Sequence, residues 1–168
     1  MARAIRAARP ADLPAVDALL AASYPRLLAP DYPGSVLVTA LPRICRANPA
    51  LLASGTYFLA FEGTTLVAVG GWTRAAPAGG AHAPGIGNVR HVAAHPGHLR
   101  RGHARALMAH VMRDAAGAGM STLDCLSTRT AVPFYRSLGF AEHGPVDVPL
   151  GPGIVFPSIR MAAALTPP

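Results

Sequence analysis

The chain has 168 residues, of which 51% are hydrophobic and 14% are charged. This length fits one domain with a sizeable core, and the low share of charged residues excludes a charge-driven disordered chain. The net charge of +7 comes from arginines that are scattered along the chain. Nucleic-acid-binding proteins cluster their basic residues, so nucleic acid is not an expected partner.

The amino-terminal segment and the cysteines indicate the cellular setting. Residues 1–10 lack the apolar core of a signal peptide, and no apolar run is long enough to span a membrane. Cys45 and Cys125 have no close partner along the chain, so the sequence encodes neither a zinc ribbon nor a redox pair. We therefore expect a cytoplasmic protein without a membrane partner.

The first half of the chain predicts two helices and a hairpin. Residues 4–8 suit a short strand, and a helix is expected to begin at Asp12. The prolines of residues 24–35 predict a loop there, and a second helix is expected over residues 36–46. Two apolar runs separated by a short glycine-containing turn indicate a β-hairpin; the runs are Tyr57–Phe61 and Leu66–Trp72.

The second half alternates strands and helices. The expected elements are a strand over 88–94, a helix over 102–118, a strand over 121–127, a helix over 131–138, a strand from Phe140, and a strand over 154–165 that Pro157 interrupts. This βαβ order implies parallel pairing, whereas the hairpin implies antiparallel pairing. The predicted fold class is α/β (α+β), with a mixed sheet and helices on both faces, in one domain that spans residues 1–168.

The segment from His95 to Met108 carries the clearest chemical signal. A strand ends there, a Pro-Gly turn follows, and an amphipathic helix begins at Gly102. The first amides of such a helix have no partner within it and lie at the positive end of its dipole, so they form an anion site. Arg100 and Arg101 add positive charge. The glycine patterns of nucleotide-triphosphate and dinucleotide loops are absent.

This segment resembles the GNAT superfamily of N-acetyltransferases. The family's pyrophosphate loop, Gln/Arg-x-x-Gly-x-Gly/Ala, corresponds to Leu99–Ala104, and its Asn-x-x-x-Phe-Tyr-x-x-x-Gly-Phe signature corresponds to Thr130–Phe140. Leu99 and Thr130 depart from the family pattern. The resemblance covers roughly residues 88–141. It implies acetyl-CoA as co-substrate, and a mostly antiparallel, twisted sheet with a central parallel strand pair that splays around the cofactor.

The resemblance also assigns roles to residues. Backbone groups of Val92, Ala93 and Ala94 would bind the pantetheine arm like an added strand. The pyrophosphate would be held by Leu99, Arg100, Arg101, Gly102, His103 and Ala104. Thr130 would cap the short helix and contact the cofactor. Tyr135 would also contact the cofactor and protonate the leaving thiolate; the alternative for Tyr135 is a core aromatic that packs beside Phe134.

The base that accepts the proton of the attacking amine is less clear. Relatives often have a carboxylate where this chain has Cys125. His91 is the preferred candidate, because an imidazole titrates near neutral pH. A water relay is an equal alternative, in which His91 is only a hydrogen-bonded strand residue, and Asp124 ranks third.

Three histidines and several aromatic residues could also serve a site. The spacing of His91, His95 and His98 is typical of metal ligands, but no acidic or cysteine ligand lies within the cluster, so no metal is expected. Aromatic residues of the first half either form an apolar wall for the acceptor or pack in the core; they are Tyr24, Tyr32 and Trp72. His82 either lines the acceptor cleft or is solvated.

The sequence therefore predicts an acetyl-CoA-dependent N-acetyltransferase that acts on an amine of a small molecule or of a protein or peptide. A non-catalytic CoA- or acyl-CoA-binding module of the same fold and a basic nucleic-acid binder remain alternatives. Late strands in such folds often meet across a dimer, so a homodimer is also open.

Overall fold

The computed structural model describes residues 2–77 and 83–168, and within these ranges seven strands form one sheet. The strands are Arg3–Ala7 (β1), Tyr57–Glu62 (β2), Thr65–Thr73 (β3), Ile86–Ala94 (β4), Thr122–Ser127 (β5), Ala141–Gly151 (β6) and Ile154–Ala164 (β7). Their order in the sheet is β1-β2-β3-β4-β5-β7-β6. Strands β4 and β5 pair in parallel and the other neighbours pair antiparallel, which confirms the predicted mixed, mostly antiparallel sheet.

Helices cover both faces of this sheet, as predicted. They are Leu13–Leu28 (α1), Gly34–Ile44 (α2), Pro49–Leu52 (α3), His103–Gly117 (α4) and Val132–Ser137 (α5). Apolar residues of α1, α2 and α3 form one buried cluster with one face of the sheet. Residues of α4 and α5 form a second cluster with the opposite face. Among the described residues, no helix is long and apolar enough to cross a lipid bilayer.

The central parallel pair is short, and this opens the molecule. Strand β4 pairs with β5 only from Ile86 opposite Thr122 to Asn88 opposite Asp124. Beyond that point the two strands diverge, so the edge of β4 that faces β5 is unpaired over residues 89–94. The predicted splay of the central strands is therefore present.

A β-bulge bends β4 at the same place. Gly71 pairs with Arg90 and Val69 pairs with Ala93, so two residues of β4 lie opposite Gly70. A Cβ added at Gly70 would approach Cγ2 of Val92 to 2.8 Å, which explains the glycine there. His91, one of the two bulged residues, has a φ of 49°, a conformation that a non-glycine residue rarely adopts.

Two predicted boundaries were wrong, both at prolines. Helix α1 continues through Pro25 to Leu28, where a loop was expected; burial of Tyr24 and Leu28 against the sheet outweighs the missing hydrogen bond. Strand β7 likewise continues through Pro157. Its pairing with β5 ends at Ile159, so at Pro157 one edge of the strand is free and a proline is tolerated.

Candidate cofactor-binding and active site

The divergence of β4 and β5 opens a cavity of about 1140 Å³. It extends from the amino end of α4, along the unpaired edge of β4, to residues of α1, α2, β6 and β7. Most of the residues predicted from the sequence line it; they are His91, Val92, Ala93, Ala94, Leu99, Arg100, Gly102, His103, Ala104, Thr130 and Tyr135. Arg101 alone among the predicted site residues does not.

The amino end of α4 is open to this cavity. Gly102 precedes the helix with a φ of 78° and, in the part of the chain that the structure describes, no side chain caps the first turn. A Cβ built at Gly102 would meet no atom within 4 Å, so the space in front of the helix is clear. Unsatisfied N–H groups at the positive end of a helix dipole bind anions. The sequence-based prediction of an anion site is consistent with this geometry.

Polar contacts with β1 and β2 hold the loop before α4. Glu62, at the end of β2, accepts hydrogen bonds at Oε2 from His103 at 3.0 Å and from His98 at 3.2 Å. The Arg101 guanidinium lies 3.5 Å from the same oxygen, and the Arg101 carbonyl accepts a bond from Arg3. Arg101 and the His103 side chain therefore anchor the loop to the sheet, and His103 offers the cavity its backbone rather than its imidazole.

The histidines that come together in the structure differ from the three whose spacing is typical of metal ligands. His91, His95 and His98 do not converge on a common point: His91 bonds to α2, and Nδ1 of His95 accepts the Gly97 amide at 3.0 Å. The side chains that converge are Glu62, His98 and His103, with ligand atoms within 4.8 Å of one another. Glu62 joins them from the hairpin turn, a contact that spacing along the sequence does not reveal. The hydrogen bond from His98 is the main reason that the Glu62 carboxyl pKa lies below its usual value.

The bulge of β4 is fixed by two tyrosines from the α1 face. The Tyr57 hydroxyl donates to the His91 carbonyl at 2.8 Å, and the Tyr24 hydroxyl donates to the Val92 carbonyl at 3.0 Å. These bonds satisfy carbonyls that the bulge removes from the regular ladder. The open edge of β4 is thereby held in a defined shape beside the cavity.

One ring nitrogen of His91 is hydrogen-bonded, and the other, Nδ1, makes no hydrogen bond to any of the described residues. Its Nε2 lies 2.7 Å from the Ile44 carbonyl, and because a carbonyl only accepts, Nε2 carries the proton. Its ring stacks on Tyr24 with centroids 5.7 Å apart. Burial lowers the pKa of His91 below 6.5, so the ring is neutral near pH 7 and Nδ1 keeps its lone pair.

Tyr135 lies where the cavity meets the core. It is 5% exposed, packs edge-on against Phe134 and Phe140, and also lines the cavity. Tyr135 therefore packs in the core, as one interpretation of the sequence expected, and also borders the cavity, as the other requires. Burial raises its pKa well above 10, and burial raises the pKa of the neighbouring Cys125 thiol to about 12.

Thr130 lines the cavity but does not cap α5 as predicted. The amide of Ala131 bonds instead to Oγ1 of Thr128 at 3.2 Å. The Thr130 hydroxyl is buried without a hydrogen-bond partner among the described residues.

Asp124, the third candidate base, is occupied elsewhere. Its Oδ2 lies 3.2 Å from the Arg160 guanidinium. It lines a smaller neighbouring cavity of about 170 Å³ rather than the main one. This position does not favour a role in proton transfer within the main cavity.

The predicted aromatic wall is only partly present. Tyr24 lines the cavity, but Trp72 and Tyr32 do not. Trp72 donates a hydrogen bond to Asp114 of α4, and Tyr32 stacks on Phe156. His82 lies outside the described residues. Sequence reasoning missed Arg90 and Arg105, which line the cavity; both lie next to predicted residues, but only the three-dimensional structure shows that they border the same space.

Comparison with known proteins identifies the family. The model of the acetyltransferase (GNAT) domain matches residues 53–142. The chain belongs to the GNAT acetyltransferase family. The matched residues include the hairpin, the diverging strands β4 and β5, and both motifs identified in the sequence. No curated protein matches the chain in sequence.

Solved GNAT structures share the fold. A GCN5-related N-acetyltransferase from Rhodopseudomonas palustris has a TM-score of 0.75 and 19% identity, covering 98% of this chain and 97% of that one. The PaiA N-acetyltransferase of Thermoplasma acidophilum, solved with coenzyme A, has a TM-score of 0.74 and 13% identity, covering 98% and 99%. The ribosomal-protein-S18-alanine N-acetyltransferase of Escherichia coli has a TM-score of 0.64 and 18% identity, covering 98% and 95%.

Proposed function

We propose that the protein transfers the acetyl group of acetyl-CoA to a primary amine of a small molecule or a protein. The observation that carries this proposal is the continuity of one cavity, which begins at the uncapped amino end of α4 and reaches Tyr135 between the diverging strands. Membership of the GNAT family and a neighbour solved with coenzyme A support it.

The residues around the cavity fit the chemical parts of coenzyme A. The first amides of α4 and the guanidinium groups of Arg100 and Arg105 suit the phosphates. The open edge of β4 over residues 89–94 suits the amide groups of the pantetheine arm. Acetyl-CoA supplies an acyl group activated as a thioester.

Tyr135 is the proposed general acid. Its raised pKa keeps the phenol protonated at neutral pH, as a proton donor must be. The Cys125 thiol beside it shows how strongly this environment disfavours a thiolate, since its pKa rises to about 12. A thiolate that departs into the same surroundings meets the same desolvation and becomes basic enough to take the Tyr135 proton.

His91 is the proposed acceptor of the amine proton. Its Nε2 proton is held by the Ile44 carbonyl, so Nδ1 is the nitrogen that can accept. The His91 ring lies on the bulge, next to the open edge of β4. A water between the amine and the imidazole would extend its reach.

A non-catalytic CoA-binding module is the second candidate. The observation that favours it is the lack of any carboxylate base in the cavity lining, as far as the described residues extend. Calorimetry with acetyl-CoA and a free-thiol assay with a panel of amines separate the two. Binding with amine-dependent thiol release supports transfer, binding without release for every amine supports the module, and no binding contradicts both.

A further inference from the structure

The charge of the cavity lining is one-sided. Five arginines border it, namely Arg43, Arg46, Arg90, Arg100 and Arg105, and no acidic side chain among the described residues does. Residues 78–82, the internal segment outside the described ranges, contain no Asp or Glu. Six of the eight acidic residues are engaged elsewhere: Asp12, Asp17, Glu62, Asp114, Asp124 and Glu142. A cationic substrate would find no counter-charge in this cavity.

The arginines fall into two groups along the cavity. Arg100 and Arg105 belong to the loop and helix that follow the strand, at the phosphate end. Arg90 precedes the bulge, four residues before the strand ends at Ala94, so about 13 Å of strand separates it from that end. Arg43 and Arg46 lie at the carboxyl end of α2, on the same face of the sheet as the His91 contact. These three belong to other elements than the proposed phosphate site, and we assign them to the acceptor side.

Arg90 is the most informative of them because it is half-buried and lacks an ionic partner. Its guanidinium donates one bond, to Oγ1 of Thr73 at 3.0 Å, which leaves most of its donors unused. None of the ion pairs among the described residues involves it. Burial lowers the pKa of Arg90 because it removes water from the charged guanidinium. An arginine in this state is suited to an anion.

Arg43 and Arg46 extend the positive charge to the mouth of the cavity. Arg43 donates to the Leu150 carbonyl and packs on Gly151, so it joins α2 to the end of β6. Arg46 is exposed and lines the cavity. Exposed charges of one sign around a cleft attract ligands of the opposite sign and repel cations such as polyamines.

Resting on the function proposed above, we propose that the acceptor is an amine that also bears a carboxylate, as an amino acid does, and that Arg90 binds this carboxylate. The carboxylate forms charge-assisted hydrogen bonds with the guanidinium and orients the amine toward the bulge of β4.

Matched acceptors test this inference through turnover. L-leucine and isoamylamine, or L-phenylalanine and 2-phenylethylamine, differ only by the α-carboxylate. We expect kcat/KM, measured by free-thiol release, to be at least about 10-fold higher for the amino acid of each pair, a difference of about 1.4 kcal/mol. Spermidine is expected to be a poor acceptor. A preference for the decarboxylated amines or for spermidine would overturn the inference while leaving acetyl transfer established.

Substitutions of Arg90 localise the effect. Arg90→Met should reduce kcat/KM about 10²-fold for the amino acid and leave the paired amine within about 2-fold, because an unpaired carboxylate costs a few kcal/mol. Arg90→Lys should restore part of the loss, and Arg46→Met, which changes an exposed arginine at the cavity mouth, should cost less. Equal losses for both acceptors would show that Arg90 has only a structural role.

A binding measurement keeps the inference testable if no amine is turned over. N-acetyl-L-leucine and N-isoamylacetamide, added to the CoA-bound protein, differ by the same carboxylate. Calorimetry should show tighter binding of the carboxylate, and this advantage should vanish in Arg90→Met, whose folding is checked by thermal unfolding. Equal affinities would contradict the carboxylate site, whereas a carboxylate preference without turnover would contradict the proposed transfer and support the site.

Discussion

The two ends of the cavity are built in different ways. The end that we propose for the phosphates consists of the uncapped start of α4 and the loop before it. The end that we propose for the acceptor is lined by residues of α1, α2, β4, β6 and β7. The loop that resembles the family's pyrophosphate motif, Leu99–Ala104, lies at the first end. In the proposed function, the residues of the second end would set the specificity for the acceptor.

The largest effect is expected from Gly102→Glu at the phosphate end. Gly102 has a φ of 78°, which costs an L-residue about 1–2 kcal/mol, and the added carboxylate would repel a diphosphate. We expect the affinity for acetyl-CoA to fall at least about 10³-fold in calorimetry, with the α4 dipole end now facing its own anion.

Gly117→Glu is the matched control for this prediction. Gly117 is the last residue of α4, and a Cβ there also meets no atom within 4 Å. The same charge at the far end of the same helix should leave acetyl-CoA affinity within about 2-fold, since the dipole effect is confined to the terminal turn. Equal losses of acetyl-CoA affinity in both variants would contradict an anion site at the start of α4.

Tyr135→Phe tests the point where the two ends meet. Loss of the proton donor should lower kcat about 10²-fold or more, and acetyl-CoA affinity should change little because the ring and its packing remain. Tyr32→Phe serves as a control, because the Tyr32 hydroxyl bonds to Pro157 and Arg129 outside the cavity. It should cost about 1 kcal/mol of stability and leave turnover unchanged. An unaltered kcat in Tyr135→Phe would show that Tyr135 is not the general acid.

His91→Gln tests the acceptor end through pH dependence. A base works when unprotonated, so kcat/KM should fall as pH drops through the His91 pKa, which lies below 6.5 because the ring is buried. The glutamine retains a donor for the Ile44 carbonyl. We expect this acidic limb to disappear and the rate near pH 7 to fall about 10-fold. An acidic limb that persists unchanged would favour the water relay without His91.

The smallest effect is expected outside both ends, at the Arg6–Asp12 ion pair. Hydrogen bonds from Arg6 at 2.8 and 2.9 Å lower the Asp12 pKa to about 2. A depressed carboxyl pKa stabilises the fold above the unfolded value of about 4 and loses that contribution as pH falls toward 2. Asp12→Asn should cost about 1 kcal/mol, as expected for a partly exposed ion pair, in urea unfolding at pH 7. The cost should vanish near pH 2, and turnover should not change.

The parts of the site that could be predicted from sequence are those in which local pattern determines structure. The turn and helix from His95 to Met108 fix their own backbone, so the predicted helix is present with an uncapped amino end, and most of the residues predicted there as ligands line the cavity. Their role in binding stays a prediction. The hairpin with its turn at Gly63 was confirmed for the same reason. The predictions at Pro25 and Pro157 were wrong because a proline usually ends a helix or a strand. At Pro25 the burial of neighbouring residues outweighs this preference, and at Pro157 the strand has a free edge.

The parts that could not be predicted depend on residues far apart in the chain. Glu62 reaches His98 and His103 only because the hairpin lies under the loop before α4. Arg90 and Arg46 share a cavity only because α2 packs beside the bulge of β4. Single residues such as these carry no motif, and their one signal in the sequence was the excess of arginine.

The most direct test of the phosphate end is a titration of backbone amides by ¹H–¹⁵N NMR. Acetyl-CoA should produce its largest shifts at Gly102, His103, Ala104 and Arg105, together with shifts along residues 89–94. Acetyl-pantetheine, which lacks the diphosphate, should shift only the second group. If acetyl-CoA leaves the first turn of α4 unperturbed, or if both ligands shift it equally, the start of α4 is not the phosphate site.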